Sequence, residues 1–265
     1  MIVNPNLSAQ VSLNNLQANE TLAKSLSRLS AGGSAVSSAD AGADPALIVD
    51  LQTQISSVDD AQQQVGNAVS FTQTQDSYLR QASVALDRMS ELARLACHAD
   101  SDGERTQYQG EFSQLSASVS DTSTKDFNGA SLFSGNTLDV PTDAGGATLT
   151  LPGVDLSASA YTGALNASLT SAPDAQHAFY NVTGAMIQLS QDRATVGSSL
   201  SRLDSAANQL AVSRENLNAA ASGIQDADAA EQTTLSARQN ILAQSGAAML
   251  AQANAMPQSA LRLLP

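Results

Sequence analysis

Val182, Leu189, Val196, Leu203, Leu210, Leu217 and Ile224 follow one another every seven residues without a miss. Seven residues are two turns of a slightly overwound α-helix, so this spacing places all seven side chains on one seam that needs a partner helix. The spacing excludes a strand, where side chains alternate faces with period two. The register then jumps by eleven to Leu235 and resumes as Leu242, Met249, Met256 and Leu263. A step of a heptad plus four is a stutter, which locally unwinds a left-handed supercoil. It falls over the charged, small-residue patch 225–231. Residues 182–224 as one helix would reach about 65 Å, a stiff strut.

A matching stripe lies nearer the amino end. Leu51, Val58, Val65, Thr72, Leu79, Leu86 and Ala93 repeat at the same interval, with Thr72 the one polar member. Before it, a first helix over about residues 5–31 places Leu7, Val11, Leu22, Leu26 and Leu29 at helical spacings, and Gly32-Gly33 stop it. Asp44-Pro45 reads as an N-cap followed by the first helical residue. A turn at 99–103 leads to a third helix, where Ser101 and Glu104 have capping-box spacing and Phe112, Leu115 and Val119 share a face. That helix ends before Phe127-Asn128-Gly129. Between 130 and 175 Gly, Pro, Ser and Thr rise, and Ala147–Leu151 alternates as a hairpin strand does. The expected fold is mainly α, with long antiparallel coiled-coil helices from both chain ends and a short β-hairpin-containing middle. Its segments are an inner terminal-helix domain of 1–44 and 226–265, a coiled-coil domain of 45–129 and 176–225, and a short variable β/loop region of 130–175.

Charge and composition narrow the function. The 265 residues carry a net charge of −13, with only 12 Lys and Arg in all, which argues against nucleic acid as a partner. Aromatics are 3% and Trp is absent, too little bulk for a thick globular interior. Cys97 is the single cysteine, and with His98 and a distant His177 it cannot assemble a zinc site. The two histidines lack the spacing of a metallopeptidase, and neither a phosphate loop nor a nucleophile elbow occurs. Asp226, Asp228 and Glu231 read as a solvated helix face, not as a carboxylate metal site. No catalytic residue, metal or cofactor is expected. No apolar run is long enough to span a membrane, and residues 1–19 lack the basic start of a secretory signal, so export is expected by another route. Most telling, residues 1–19 and 239–261 contain no charged side chain. Chain ends are usually solvated and polar, so uncharged apolar ends point to burial against further copies. The expected assembly interface is Leu7, Val11, Leu22, Leu26, Leu29, Leu235, Leu242, Met249, Leu250, Met256, Leu263 and Leu264. The expected coiled-coil core is Leu51, Val58, Val65, Leu79, Leu86, Val182, Leu189, Val196, Leu203, Leu210, Leu217 and Ile224.

Several stretches resemble bacterial flagellins. Ser213–Leu217, Ser222–Glu231, Gln239–Gln244, Ala248–Asn254 and Leu261–Leu264 are similar to that family's carboxyl-terminal signature. Leu26-Ser27-Arg28-Leu29-Ser30-Ala31-Gly32 and Thr124-Lys125-Asp126-Phe127-Asn128-Gly129 resemble amino-terminal motifs of the family. The pattern Asp40–Leu47 is similar too, although the family's Gly after Ala46 is missing. The resemblance implies a homopolymer of many copies forming the flagellar filament, outside the cell. It also implies passage through the flagellar type III apparatus, a secretion chaperone and a filament cap. It further places the family's innate-immune-receptor patch at Arg88, Leu92 and Glu111, with Ser90 where the family has an Arg. A hook–filament junction protein and a secreted helical effector are the alternatives, and the carboxyl motifs favour the filament subunit.

Overall fold

A computed structural model describes residues 5–30, 43–143 and 145–262, and the side chains at 5–8, 28, 43–45, 253–254 and 256–262 are not part of that description. The chain forms two compact units, one of Met1–Ile55 with Glu215–Pro265, the other Ser56–Arg214. These divisions fall on the coiled-coil side of the expected limits at 44/45 and 225/226. Three long helices dominate: α1 (Pro5–Ser30), α2 (Ala43–Cys97) and α5 (Ala172–Arg262). Between α2 and α5 lie α3 (Asp102–Ser123), the short strands β1 (Asp126–Phe127), β2 (Ala130–Ser131), β3 (Leu138–Pro141) and β4 (Thr148–Leu151), and α4 (Ser159–Leu165). Because α2 begins at Ala43, Asp44 and Pro45 fall in its first turn; Gly32-Gly33 lie outside the described residues.

In the unit Ser56–Arg214 the two heptad stripes are the core. Val58, Val65, Leu79 and Leu86 of α2 and Val182, Leu189, Val196, Leu203 and Leu210 of α5 are all buried. The helices run antiparallel: Asp59 pairs with Arg214 at 2.7 Å and Asp76 with Arg193 at 3.3 Å, ascending α2 while descending α5. Thr72, the polar break in the stripe, is buried and donates to the Ala68 carbonyl at 2.7 Å, so its hydroxyl costs the core little. The start of α5 is fixed by Ser171, whose hydroxyl accepts the Asp174 N–H at 3.2 Å and donates back to the Asp174 carboxylate. At α3, the expected cap is present, with Ser101 Oγ accepting the Glu104 N–H at 3.3 Å.

The middle region does not stand apart from these helices. Asn128 (φ 52°) and Gly129 (φ 80°) make the two-residue turn joining β1 to β2, a pair of left-handed positions that Asn-Gly fills readily. Phe127 meets Phe71 edge-on at 6.1 Å, and Gln75 Nε2 reaches from α2 to the Leu132 carbonyl at 2.6 Å. The second hairpin pairs β3 with β4 antiparallel, Leu138 opposite Leu151. Gly153 then presses on the backbone of Gly135 and Asn136, where a Cβ would stand 2.2 Å from the Asn136 carbonyl oxygen. Leu132, Phe133, Val154, Leu156, Tyr161, Ala164 and Leu169 join the helical core, so these residues share their neighbours' interior instead of enclosing one. Helix α4 went unforeseen because its seven residues hold a Gly and only two large apolar side chains. It is held from outside: Tyr161 is fully buried, its hydroxyl bonded to Asp192 of α5, while Ser116 of α3 donates to the Leu165 carbonyl at 2.6 Å.

The other unit is built differently. Its better-covered positions on α1 are Val11, Asn15, Ala18, Leu22 and Ser25, and on α5 Leu217, Ala221, Ile224, Gln225, Asp228, Ala229, Gln232, Ser236, Gln239, Ala243, Gly246 and Leu250. From Gln225 on the α5 set steps by four and three, with Ala229, Ser236, Ala243 and Leu250 seven apart, so the seam keeps a heptad, displaced by one position from the leucine stripe. Leu235, Leu242 and Met249, expected in the assembly interface, are exposed in the single copy, one position short of the seam residues Ser236, Ala243 and Leu250. The physical reason is size. Small and amide side chains let the helices approach closely, as where an added Cβ on Gly246 would lie 3.2 Å from Asn15 Nδ2.

Candidate assembly surfaces

In a single copy the terminal unit leaves most of its described large apolar side chains in water. Leu13 is 65% exposed, Leu16 66%, Ile241 67%, Leu242 47% and Met249 59%, with Leu26, Leu29, Leu47, Val49 and Leu235 also exposed. Among the described residues the buried ones there are few and small: Ala18, Ser25, Ala221 and Ser236. Such an inversion, with the leucines out and the serines in, leaves hydrocarbon that association can remove from water. A groove of about 500 Å³ opens beside the α1–α5 seam, with Val11, Leu242 and Met249 among its walls.

Of the expected interface residues, Leu26, Leu29, Leu235, Leu242 and Met249 lie exposed, while Val11, Leu22 and Leu250 are half-buried along the seam. The side chains of Leu7 and Met256, and Leu263 and Leu264 entirely, lie outside the described residues. Among the expected coiled-coil residues, Leu51, Leu217 and Ile224 are half-buried and fall in the terminal unit.

On the helical unit, Arg88 bridges α2 and α3. Its Nε donates to Glu111 Oε1 at 2.7 Å, its Nη2 to Glu111 Oε2 at 3.1 Å, and its Nη1 to Glu91 at 2.7 Å. The hydrogen bonds it donates to Glu111, then the one to Glu91, hold the guanidinium charged well above its ordinary range, and Arg88 in turn draws the Glu111 carboxyl below its own. Of the three residues at which the resemblance places a receptor patch, Arg88 and Glu111 are exposed and Leu92 is not. Leu92 is fully buried because it sits on the α2 face that carries Leu79, Leu86 and Met89 inward. Cys97 is half-buried against the core and His98 and His177 are exposed; among the described residues no group of His, Cys, Asp or Glu could hold a metal ion. Likewise, no described helix is long and apolar enough to cross a membrane.

The terminal segments with their uncharged, outward leucines lie within longer stretches that match known proteins. Residues 3–137 match the family model of the bacterial flagellin N-terminal helical region, and residues 179–264 that of the C-terminal helical region. The chain belongs to the bacterial flagellin family. A flagellar filament core protein of Treponema maltophilum is 31% identical over the whole of both chains. So is a flagellin of Halalkalibacterium halodurans, also at 31% over both full lengths. The crystal structure of Bacillus cereus flagellin superposes with a TM-score of 0.52 at 30% identity, covering 56% of this chain and 88% of that one. A flagellar hook-associated protein from Vibrio parahaemolyticus gives a TM-score of 0.62 over 71% of this chain at 13% identity, which shows a shared fold alone.

Within this flagellin, sequence reasoning missed Leu13, Leu16 and Ile241 as surface residues. Each is a large apolar side chain in a charge-free stretch, off the helix face that carries the stripe. Leucines with no place in the core stripe were the available signal.

Proposed function

We propose that this chain is the repeating subunit of a bacterial flagellar filament, and that the terminal unit is where copies meet. One observation carries the reading: the helices formed by the charge-free chain ends expose Leu13, Leu16, Ile241, Leu242 and Met249 in the single copy. Burying each such side chain fully is worth roughly 1.5–3 kcal/mol, and repetition over many copies makes the sum large. The role is mechanical and non-catalytic. The long paired helices of the other unit supply stiffness, since their valine and leucine layers are buried and tied by ion pairs at both Asp59 and Asp76.

Family membership supports the rest of the reading. The subunit passes through the flagellar type III apparatus with a secretion chaperone, assembles under a filament cap outside the cell, and drives swimming as part of the rotating filament. A host innate immune receptor would meet the exposed Arg88–Glu111 pair, with Leu92 acting only from beneath. Electron microscopy of the purified chain tests the central claim: above a critical concentration it should form long filaments of uniform width. A chain that stays monomeric at every concentration, or aggregates without helical order, would overturn it.

A further inference from the structure

The buried side chains that α2 and α5 share fall into two sets. One belongs to the continuous core, which runs from Leu79 to Ala96 on α2 and from Ala175 to Val196 on α5. The other set, Val58, Ala61, Val65 and Ala68 with Leu203 and Leu210, is equally buried yet lies outside that core. The ion pairs Asp76–Arg193 and Asp59–Arg214 together fix which residues stand level across the antiparallel pair. Leu86 stands level with Ala185, Ala82 with Leu189, Ala68 with Leu203 and Ala61 with Leu210, a large side chain against a small one each time. Between the two sets, Thr72 stands level with Ser199, and Gln75 lies one turn away. All three are buried, and none offers the hydrocarbon of a leucine. Thr72 donates to the Ala68 carbonyl and Gln75 to the Leu132 carbonyl, so these bonds do not tie α2 to α5.

The backbone softens at the same level. At Gly66 and Gly197 an added Cβ would meet nothing within 4 Å, so no close approach requires these glycines, and each costs its helix about 0.5–1 kcal/mol relative to alanine. Beside them the hydroxyls of Ser70, Thr72 and Thr74 on α2 and of Thr195, Ser201 and Ser205 on α5 bond back to carbonyls four residues earlier, which loosens a helix. The β3–β4 hairpin covers this stretch loosely. It leaves a groove of about 540 Å³ walled by Thr148, Ser201 and Ser205, and another of about 290 Å³ walled by Val140, Gln64 and Ala68.

We infer that the Thr72–Ser199 level is a joint: the two-helix arm of 58–71 with 200–213 parts locally while the block above it stays closed. This is a property of the single chain, goes beyond the filament reading and stands apart from it. The block adds Phe112, Phe133 and Tyr161 to the helix pair, so opening it exposes several elements at once. The far end of the arm is closed by the half-exposed Asp59–Arg214 pair, a weak clasp. A chain jointed in this way changes the spacing of its long helices at one end while the other holds.

Thiol reactivity tests the joint on the full-length Cys97→Ser chain, kept dilute so that it stays monomeric. Ala68→Cys below the level and Ala82→Cys above it both replace buried alanines, so dithionitrobenzoate reaches either thiol only when the chain opens. The arm cysteine should react at least roughly 100-fold faster than the block cysteine. Thr72→Leu with Ser199→Ala restores a large side chain against a small one and should shrink that ratio to about tenfold or less. Ala61→Cys with Ala93→Cys, also buried, repeats the comparison if a first variant misfolds by circular dichroism, and Thr72→Val serves if leucine overpacks. Equal rates above and below the level would overturn the inference, and so would a ratio that the refilled joint leaves unchanged.

Discussion

Deleting residues 239–265 should abolish polymerisation and leave the helical unit folded. The deletion removes Ile241, Leu242 and Met249, whose exposures of 67%, 47% and 59% together amount to a little under two whole apolar side chains still in water. At roughly 1.5–3 kcal/mol per fully buried side chain, assembly loses about 3–5 kcal/mol for each subunit contact set. A factor of ten costs about 1.4 kcal/mol, so the critical concentration should rise on the order of 100- to 3,000-fold. No residue of the core cluster lies beyond Val196, and Leu203 and Leu210 also survive the deletion, so the melting of that unit should barely change. Sedimentation across a concentration series reads the first quantity and circular dichroism the second. The reasoning is refuted if the truncated chain pellets as normal filaments within tenfold of the full-length critical concentration. It is equally refuted if the helical unit melts many degrees lower, because the terminal segment would then be a structural part of it.

Gly153→Ala should lower the melting temperature of the helical unit by about 3–10 °C, since a methyl cannot share space with the Asn136 carbonyl and overpacking costs about 1–3 kcal/mol; differential scanning calorimetry checks it. Tyr161→Phe leaves no cavity but removes the hydroxyl bonded to Asp192, and should cost about 1.5–3 kcal/mol in urea denaturation at neutral pH. Burial, then the Asp192 bond, pushes the Tyr161 phenol above its ordinary value. Its contribution is therefore complete below about pH 10 and declines above it by up to about 1.4 kcal/mol per pH unit, as only the unfolded chain sheds the proton; the Phe variant should lose that slope. Arg88→Ala should let the Glu111 carboxyl rise toward its ordinary range in an NMR titration, and should reduce reporter-cell activation by monomer if the receptor reading holds.

The coiled-coil core was readable because Val182–Leu210 obeys a single rule, one large apolar side chain every seven residues, and no tertiary influence overrides it. The Asn128-Gly129 turn and the Ser101 cap were readable for a similar local reason: left-handed backbone and an orphan N–H each demand particular residues. Helix α4 was not, because Ser159–Leu165 has little propensity of its own and is fixed by Tyr161 and by the Leu165 carbonyl, both contacts from distant sequence. The side chains that pair α1 with α5 within one copy were not legible for another reason. A leucine stripe tells that a face will be buried, but not by which helix. Ser236, Ala243 and Gly246, which line the seam within one copy, carry no hydrophobic signal at all.

That seam has a consequence for how long each part of the chain keeps its structure. Within α5, the amides near Leu189 and Val196 lie beneath fully buried valines and leucines, and their hydrogen-bonded turns open only when the whole core opens. Those near Ala243 and Gly246 are guarded by side chains that bury little hydrocarbon, so their turns open locally and far more often. In deuterated solvent one uninterrupted helix would label quickly toward its carboxyl end and slowly toward Ala172. The closing of the outer leucines against neighbouring copies would erase that gradient.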